Sequence, residues 1–221
     1  QADHYMTPAS NIKLLTFLAA VESFDSLPSL YYHEKDSVTH IKSTGYPLLL
    51  HPLYPDSELS SFLKQKQFLV YHKPKSKLKS QGSGWSWDDY SYYYAAETSP
   101  FPIYGNAIQA SGDSNVPKFT PSIFETLSST DTLAKNFIRE RFKNRFHYNP
   151  KKWNLRDTLY RPFVTSDYVF VQLLKNYLNR PVRLLTAFKN LESKVPYINQ
   201  EDLLYRAFLQ DRHNGIAAAL L

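Results

Sequence analysis

The sequence contains no cysteine, which removes disulfides, thiol nucleophiles and cysteine-bound metals together. No apolar run approaches the roughly 20 residues a helix needs to span a bilayer, so no integral membrane segment is expected. The seven histidines, among them His4, His51 and His213, lack metal-ligand spacing, and no metal or organic cofactor is expected. Neither zinc-finger spacing nor an RNP-like motif occurs, so no nucleic-acid partner is expected. There is no internal repeat. The chain begins with Gln1 rather than Met, which fits removal of a secretion signal and equally fits a chosen boundary.

What is present suits a folded chain. Its 221 residues are 43% apolar and 21% charged, enough for one large domain or two smaller ones. Aromatics reach 15%, with 17 Tyr and 14 Phe, a composition that suits aromatic strands or a stacking groove. The net charge of +6 and pI near 9.2 favour anionic surroundings such as cell-wall polyanions. The lysines at 73, 75, 77 and 79 and the arginines from 139 to 145 read as solvated faces.

Apolar spacing predicts a helix over 10–24, a strand over 30–41 ending in the turn at 43–47, a short helix over 56–65 and a strand over 68–71. Residues 73–84 form a polar loop, followed by the aromatic block WSWDDYSYYY at 85–94. Further helices are expected over 130–145, 166–178 and 200–221, with a short strand over 182–185. The mixture implies an α+β fold, with a region of short strands inserted among helices.

Two stretches carry chemistry. In TPASNIKLLTFLAAV, residues 7–21, Ser10 and Lys13 stand three apart and share a helix face. A lysine with a lowered pKa can take the proton of a serine, and the first helical turn favours developing negative charge. The same spacing recurs at Ser61/Lys64 and Ser76/Lys79, and an N-cap serine followed by a surface lysine would look alike. Only Ser10 follows a Pro-Ala turn and opens a strongly apolar helix. The second stretch, GSGWSWDDYSYYYAAE at 82–97, sets Asp88 and Asp89 among tryptophans and tyrosines. Read alone, it is an acidic turn on an aromatic strand.

Taken in order, PASNIKLLT (8–16) and the 82–97 block resemble the S13 peptidase family, the class C low-molecular-mass penicillin-binding proteins that act as D-alanyl-D-alanine carboxypeptidases and endopeptidases. STGYPLLLHP at 43–52 is similar to the family's G-D-P turn. The resemblance implies a beta-lactamase/transpeptidase-like catalytic domain, partial here, with an inserted mainly β region. Residues 1–44 and 190–221 would be catalytic and 45–189 inserted, with 84–96 returning to the cleft. Ser10 would be the nucleophile and Lys13 its base.

The best match to the family's S-x-N triplet is Arg212-His213-Asn214. Asn214 fits the asparagine, whereas Arg212 replaces the serine and stays charged. Ser166-Asp167-Tyr168 is the alternative. No K-T-G triplet is found; Lys42-Ser43-Thr44-Gly45 reads as a turn. Asp89 and Tyr94 would bind substrate, the carboxylate holding the ammonium of a stem-peptide diamino acid. The resemblance further implies peptidoglycan stem peptides as partners, beta-lactams as covalent inhibitors and a periplasmic or extracytoplasmic location. It covers essentially the whole chain but only about the N-terminal half of the family's pattern, as expected of a fragment, a truncated gene or a degenerate homologue. The last would be a non-catalytic binder of peptidoglycan or protein.

Overall fold

The computed structural model describes residues 5, 7, 11–23, 26–75, 78–112, 116–134, 136–153, 158–186 and 206–211. In chain order, helix α1 (Ile12–Ser23) precedes the hairpin of β1 (Ser26–Lys35) and β2 (Val38–Ser43). Helix α2 (Ser57–Gln65) and β3 (Phe68–His72) follow, and then single 3-10 turns at Asp89–Ser91, Tyr93–Ala95 and Tyr104–Asn106. Next come β4 (Ala107–Ser111), β5 (Lys118–Thr120), β6 (Ser128–Thr130), β7 (Phe137–Arg139), β8 (Phe146–Tyr148) and β9 (Leu159–Pro162). Helix α3 (Asp167–Leu178), β10 (Val182–Leu185) and β11 (Arg206–Asp211) complete the order.

The expected strand over 30–41 is two strands. Asp36 and Ser37 turn the chain with φ of 49° and 65°, the left-handed pair that matches strand twist in a two-residue hairpin. The hairpin sits in a five-stranded sheet of order β10-β3-β2-β1-β11. Strands β2, β3 and β10 run parallel, while β1 is antiparallel to both its neighbours. The parallel steps need crossovers; α2 supplies the first and α3 lies in the second. Leu30, Ile41, Leu69, Tyr71 and Val182 join Leu59, Leu63, Phe170, Leu173 and Leu174 of the helices in one buried cluster. These strands come from both sides of residue 44.

Two three-stranded sheets, β5-β4-β9 and β6-β8-β7, pack through aromatic rings. Phe137 lies 5.5 Å from Phe119 and 5.9 Å from Phe146 between centroids, and Phe124 meets Phe163 at 5.4 Å. Much of the aromatic content is therefore core.

Two expectations are corrected here. The described residues of 130–145 are not helical: Phe137 and Arg139 are buried with Ile138 between them half-exposed, and this period of two prevails once β8 is there to pair. The backbone N–H of Glu140 donates to the Arg145 carbonyl at 2.9 Å, closing the turn between the strands. Within 200–221, Arg206–Asp211 is a strand that pairs along β1 from Ser26 to Tyr32, so ladder hydrogen bonds replace helical ones. The rest of that range lies outside the described residues.

Candidate functional site

The start of α1 carries the expected nucleophile and base. Lys13 is exposed in its first turn. Ser10 lies outside the described residues, as do Arg212, His213 and Asn214. The Lys42–Gly45 stretch is the end of β2 and the irregular segment after it: Thr44 Oγ1 donates to the Ser29 carbonyl at 3.0 Å, and Gly45 adopts φ +86°. Ser166 caps α3, its hydroxyl accepting from the Val169 N–H at 3.1 Å. That hydroxyl therefore serves as the N-cap of the helix.

The aromatic block is built on one buried ring. Tyr90 is 7% exposed. Its carbonyl accepts from Arg139 Nη2 at 3.3 Å, its hydroxyl accepts from the Phe142 N–H at 2.9 Å, and the Arg139 guanidinium lies 4.0 Å over its ring. Burial lowers the pKa of Arg139, while the Tyr90 phenol and Glu97 carboxyl act in the opposite direction through charge. A delocalised guanidinium tolerates such a site better than an ammonium does.

Around this anchor the other side chains turn outward. Trp85, Trp87, Tyr92, Tyr93 and Tyr94 are all exposed large rings. Tyr92 and Tyr94 stack almost parallel, 5.5 Å apart and 4° off plane, with Tyr93 edge-on to Tyr94. The Arg141 guanidinium covers the Trp87 ring at 4.7 Å.

The two acids are oriented by neighbours. Ser86 Oγ donates to Asp88 Oδ1 at 2.6 Å, which holds that carboxyl below its usual range. Tyr94 Oη donates to Asp89 Oδ1 at 2.8 Å, and this bond pushes the Tyr94 phenol upward. Asp89 and Tyr94 are thus brought together, and Asp89 also starts the 3-10 turn whose Asp89 carbonyl accepts from Tyr92 N–H at 2.8 Å. An anionic carboxylate beside stacked electron-rich ring faces attracts an organic ammonium by charge and by cation–π interaction.

The block is tied to the segment that leads into α3. Glu97 is buried, and its Oε2 accepts from the Thr165 N–H at 2.7 Å and the Thr165 hydroxyl at 2.9 Å. Asn106 Nδ2 donates to the Glu97 carbonyl at 2.8 Å and to Ser99 Oγ at 2.9 Å. His51 serves its own turn, Nδ1 accepting from the Leu53 and Tyr54 N–H groups at 3.2 Å, and burial lowers its pKa.

Reading the sequence misses Tyr90, Arg139, Arg141 and Phe142 as parts of this site. Arg139 and Phe142 lie 49 and 52 residues from Tyr90, and no local pattern links them. Among the described residues, no group of three or more His, Asp or Glu side chains is arranged to hold a metal. No described helix is long and apolar enough to cross a membrane.

No protein-family model and no curated protein matches this chain. Its fold is similar to the crystal structure of penicillin-binding protein 4 (DacB) from Haemophilus influenzae, with a TM-score of 0.54 at 18% identity. The match covers 85% of this chain and 49% of that one. This chain therefore spans about half the length of its structural neighbour, and what the two share is a penicillin-binding-protein-like α/β fold.

Proposed function

We propose that this chain is part of a serine D-Ala-D-Ala peptidase of the S13 type, acting outside the cytoplasm on peptidoglycan stem peptides. The observation that carries the reading is the fold likeness to a penicillin-binding protein, in a chain where PASNIKL precedes GWSWDDYSYYYAA. Ser10 Oγ would attack the carbonyl of the penultimate D-alanine while Lys13 Nζ takes the hydroxyl proton. The C–N bond then breaks, the departing amine receives that proton, and water releases the acyl group from Ser10. Asn214 would orient the lysine and the substrate amide. Residues 1–44 and 190–221 would form the catalytic part, with 45–189 inserted and 84–96 returning to the cleft. Asp89 and Tyr94 would then meet the ammonium of the stem peptide; their bonded pairing at 2.8 Å supports this role.

The test is a fluorescent penicillin, which such a serine opens into a stable acyl-enzyme. A mass increase of one opened penicillin, mapped to Ser10 and absent from Ser10→Ala, is the expected result. A folded chain that acquires no adduct overturns the catalytic reading. Arg212 in place of the S-x-N serine favours a second reading, a non-catalytic homologue. That reading predicts retention on peptidoglycan without any adduct.

A further inference from the structure

The small sheet β6-β8-β7 places three reactive side chains in a line on its outer face. Parallel pairing of β6 with β8 sets Ser129 opposite His147, and antiparallel pairing of β7 with β8 sets Ile138 opposite the same histidine. Glu140, two residues beyond Ile138, shares that face. The inner face is core, with Phe137, Phe146 and Tyr148 buried. On the outer face Ser129 Oγ lies 2.9 Å from His147 Nδ1, and His147 Nε2 lies 3.1 Å from Glu140 Oε1.

The proton positions follow from the acid. Hydrogen bonds from Lys143 and then His147 hold the Glu140 carboxyl below its usual range, and Lys143 Nζ sits 3.0 Å from its other oxygen. An ionised carboxylate only accepts, so Nε2 of His147 carries the hydrogen. In the neutral ring Nδ1 is then the lone-pair nitrogen, and the Ser129 hydroxyl must donate to it. This is the bonding order of an activated serine: hydroxyl to imidazole to carboxylate. Relative to the familiar hydrolase arrangement, the two ring nitrogens exchange roles.

We propose that Ser129, His147 and Glu140 form a second nucleophilic site that accepts acyl groups from small activated esters. Ser129 is exposed on a strand, so the donors it suits are compact ones that need no enclosing pocket, such as aryl acetates. Ser129 Oγ attacks the ester carbonyl and forms the new C–O bond as its proton moves to His147 Nδ1. The original ester C–O bond breaks, and the departing oxygen takes that proton. Water then repeats the sequence, freeing acetate and restoring the serine. Glu140 is a positioning residue: it fixes the tautomer and stabilises the imidazolium that forms in each half.

The experiment uses the full chain carrying Ser10→Ala, so that the peptidase proposal and this one fail separately. With p-nitrophenyl acetate as probe, the expected result is an acetyl group on the peptide containing Ser129, absent from Ser129→Ala. His147→Gln should slow acetylation there at least tenfold. Glu140→Gln should slow it similarly while Glu140→Asp recovers part of the rate, which a merely structural carboxylate would not produce. Circular dichroism identifies variants that fail to fold; the Ser129→Ala comparison, an exposed change, remains decisive in that case. No acetyl group on Ser129, or acetylation indifferent to both His147→Gln and Glu140→Gln in folded protein, overturns the proposal.

Discussion

Helices α1 and α3 each contain 12 residues, yet they are opposites in how they are held. In α3, Ser166 caps the start, Asp167 and Lys175 suit the two ends of the helix dipole, and Asn179 closes the end at φ 51°. One stripe, Phe170, Val171, Leu173 and Leu174, is buried. In α1, IKLLTFLAAVES is apolar nearly all round, has no acid in its first turn and no base in its last, and buries no residue. Leu14 and Leu15 are 70% and 68% exposed. Apolar composition makes a helix worth burying, but only a stripe that meets a partner converts it into stability. Among the described residues, α3 has that partner in β10 and α1 has none that buries it.

The sharpest way to break this contrast is a pair of leucines. Leu174→Ala, at a fully buried position, should lower unfolding stability by about 2–5 kcal/mol in urea melts. Leu15→Ala in α1 should change it by less than about 0.5 kcal/mol. Equal losses would mean that the two helices are packed alike.

Acid attacks the same contrast through the sheet beneath α3. Burial, with His40 and Lys42 nearby, pushes the His72 imidazole down to about 4 from an ordinary 6.5. His40 Nδ1 stands 2.8 Å from its Nε2, and burial with His33 and Lys35 lowers His40 as well. The fold favours neutral imidazoles, so their contribution is complete above pH 6.5 and is lost as pH falls towards 4. The loss should be on the order of 2–3 kcal/mol. Chemical melts across that window would show it, and a flat profile would mean that the His40–His72 pair does not couple folding to pH.

Capping gives a smaller effect. Ser166→Ala should cost about 1 kcal/mol, whereas Ser166→Asp should retain stability. At the other end Asn179→Gly should be near neutral, because glycine accepts the left-handed backbone. If neither terminus responds, the difference between the helices lies in burial alone.

The sequence foretells α2 and α3 because their signals are local. Asp56 accepts the Leu59 N–H at 2.8 Å and Ser166 the Val169 N–H at 3.1 Å, each cap standing directly before its apolar stripe. Residues 130–145 mislead because charged residues between Phe137 and Phe146 mimic a helical face. Their true period emerges only when β8 pairs with β7. The candidate site divides in the same way. Asp89 and Tyr94 stand five apart and are recognisable within one motif. Tyr90's role depends on Arg139 and Phe142, and the Ser129–His147–Glu140 line depends on register across three strands. Non-local pairings leave no periodic trace in a single sequence.

The aromatic block also begins and ends at nearly one point. The N–H of Thr98 donates to the Ser80 carbonyl at 2.8 Å, and its hydroxyl reaches the same oxygen at 3.3 Å. The chain between them loops out and returns to where it started, as an Ω-loop does, with Tyr90 and Glu97 as its two buried anchors. Such a segment is a cassette. Its tip could be exchanged for another with different rings and charges while the five-stranded sheet keeps its strand order. Specificity carried there is free to change faster than the scaffold beneath it, with Tyr90 and its clasp on Arg139 as the part every replacement would have to keep.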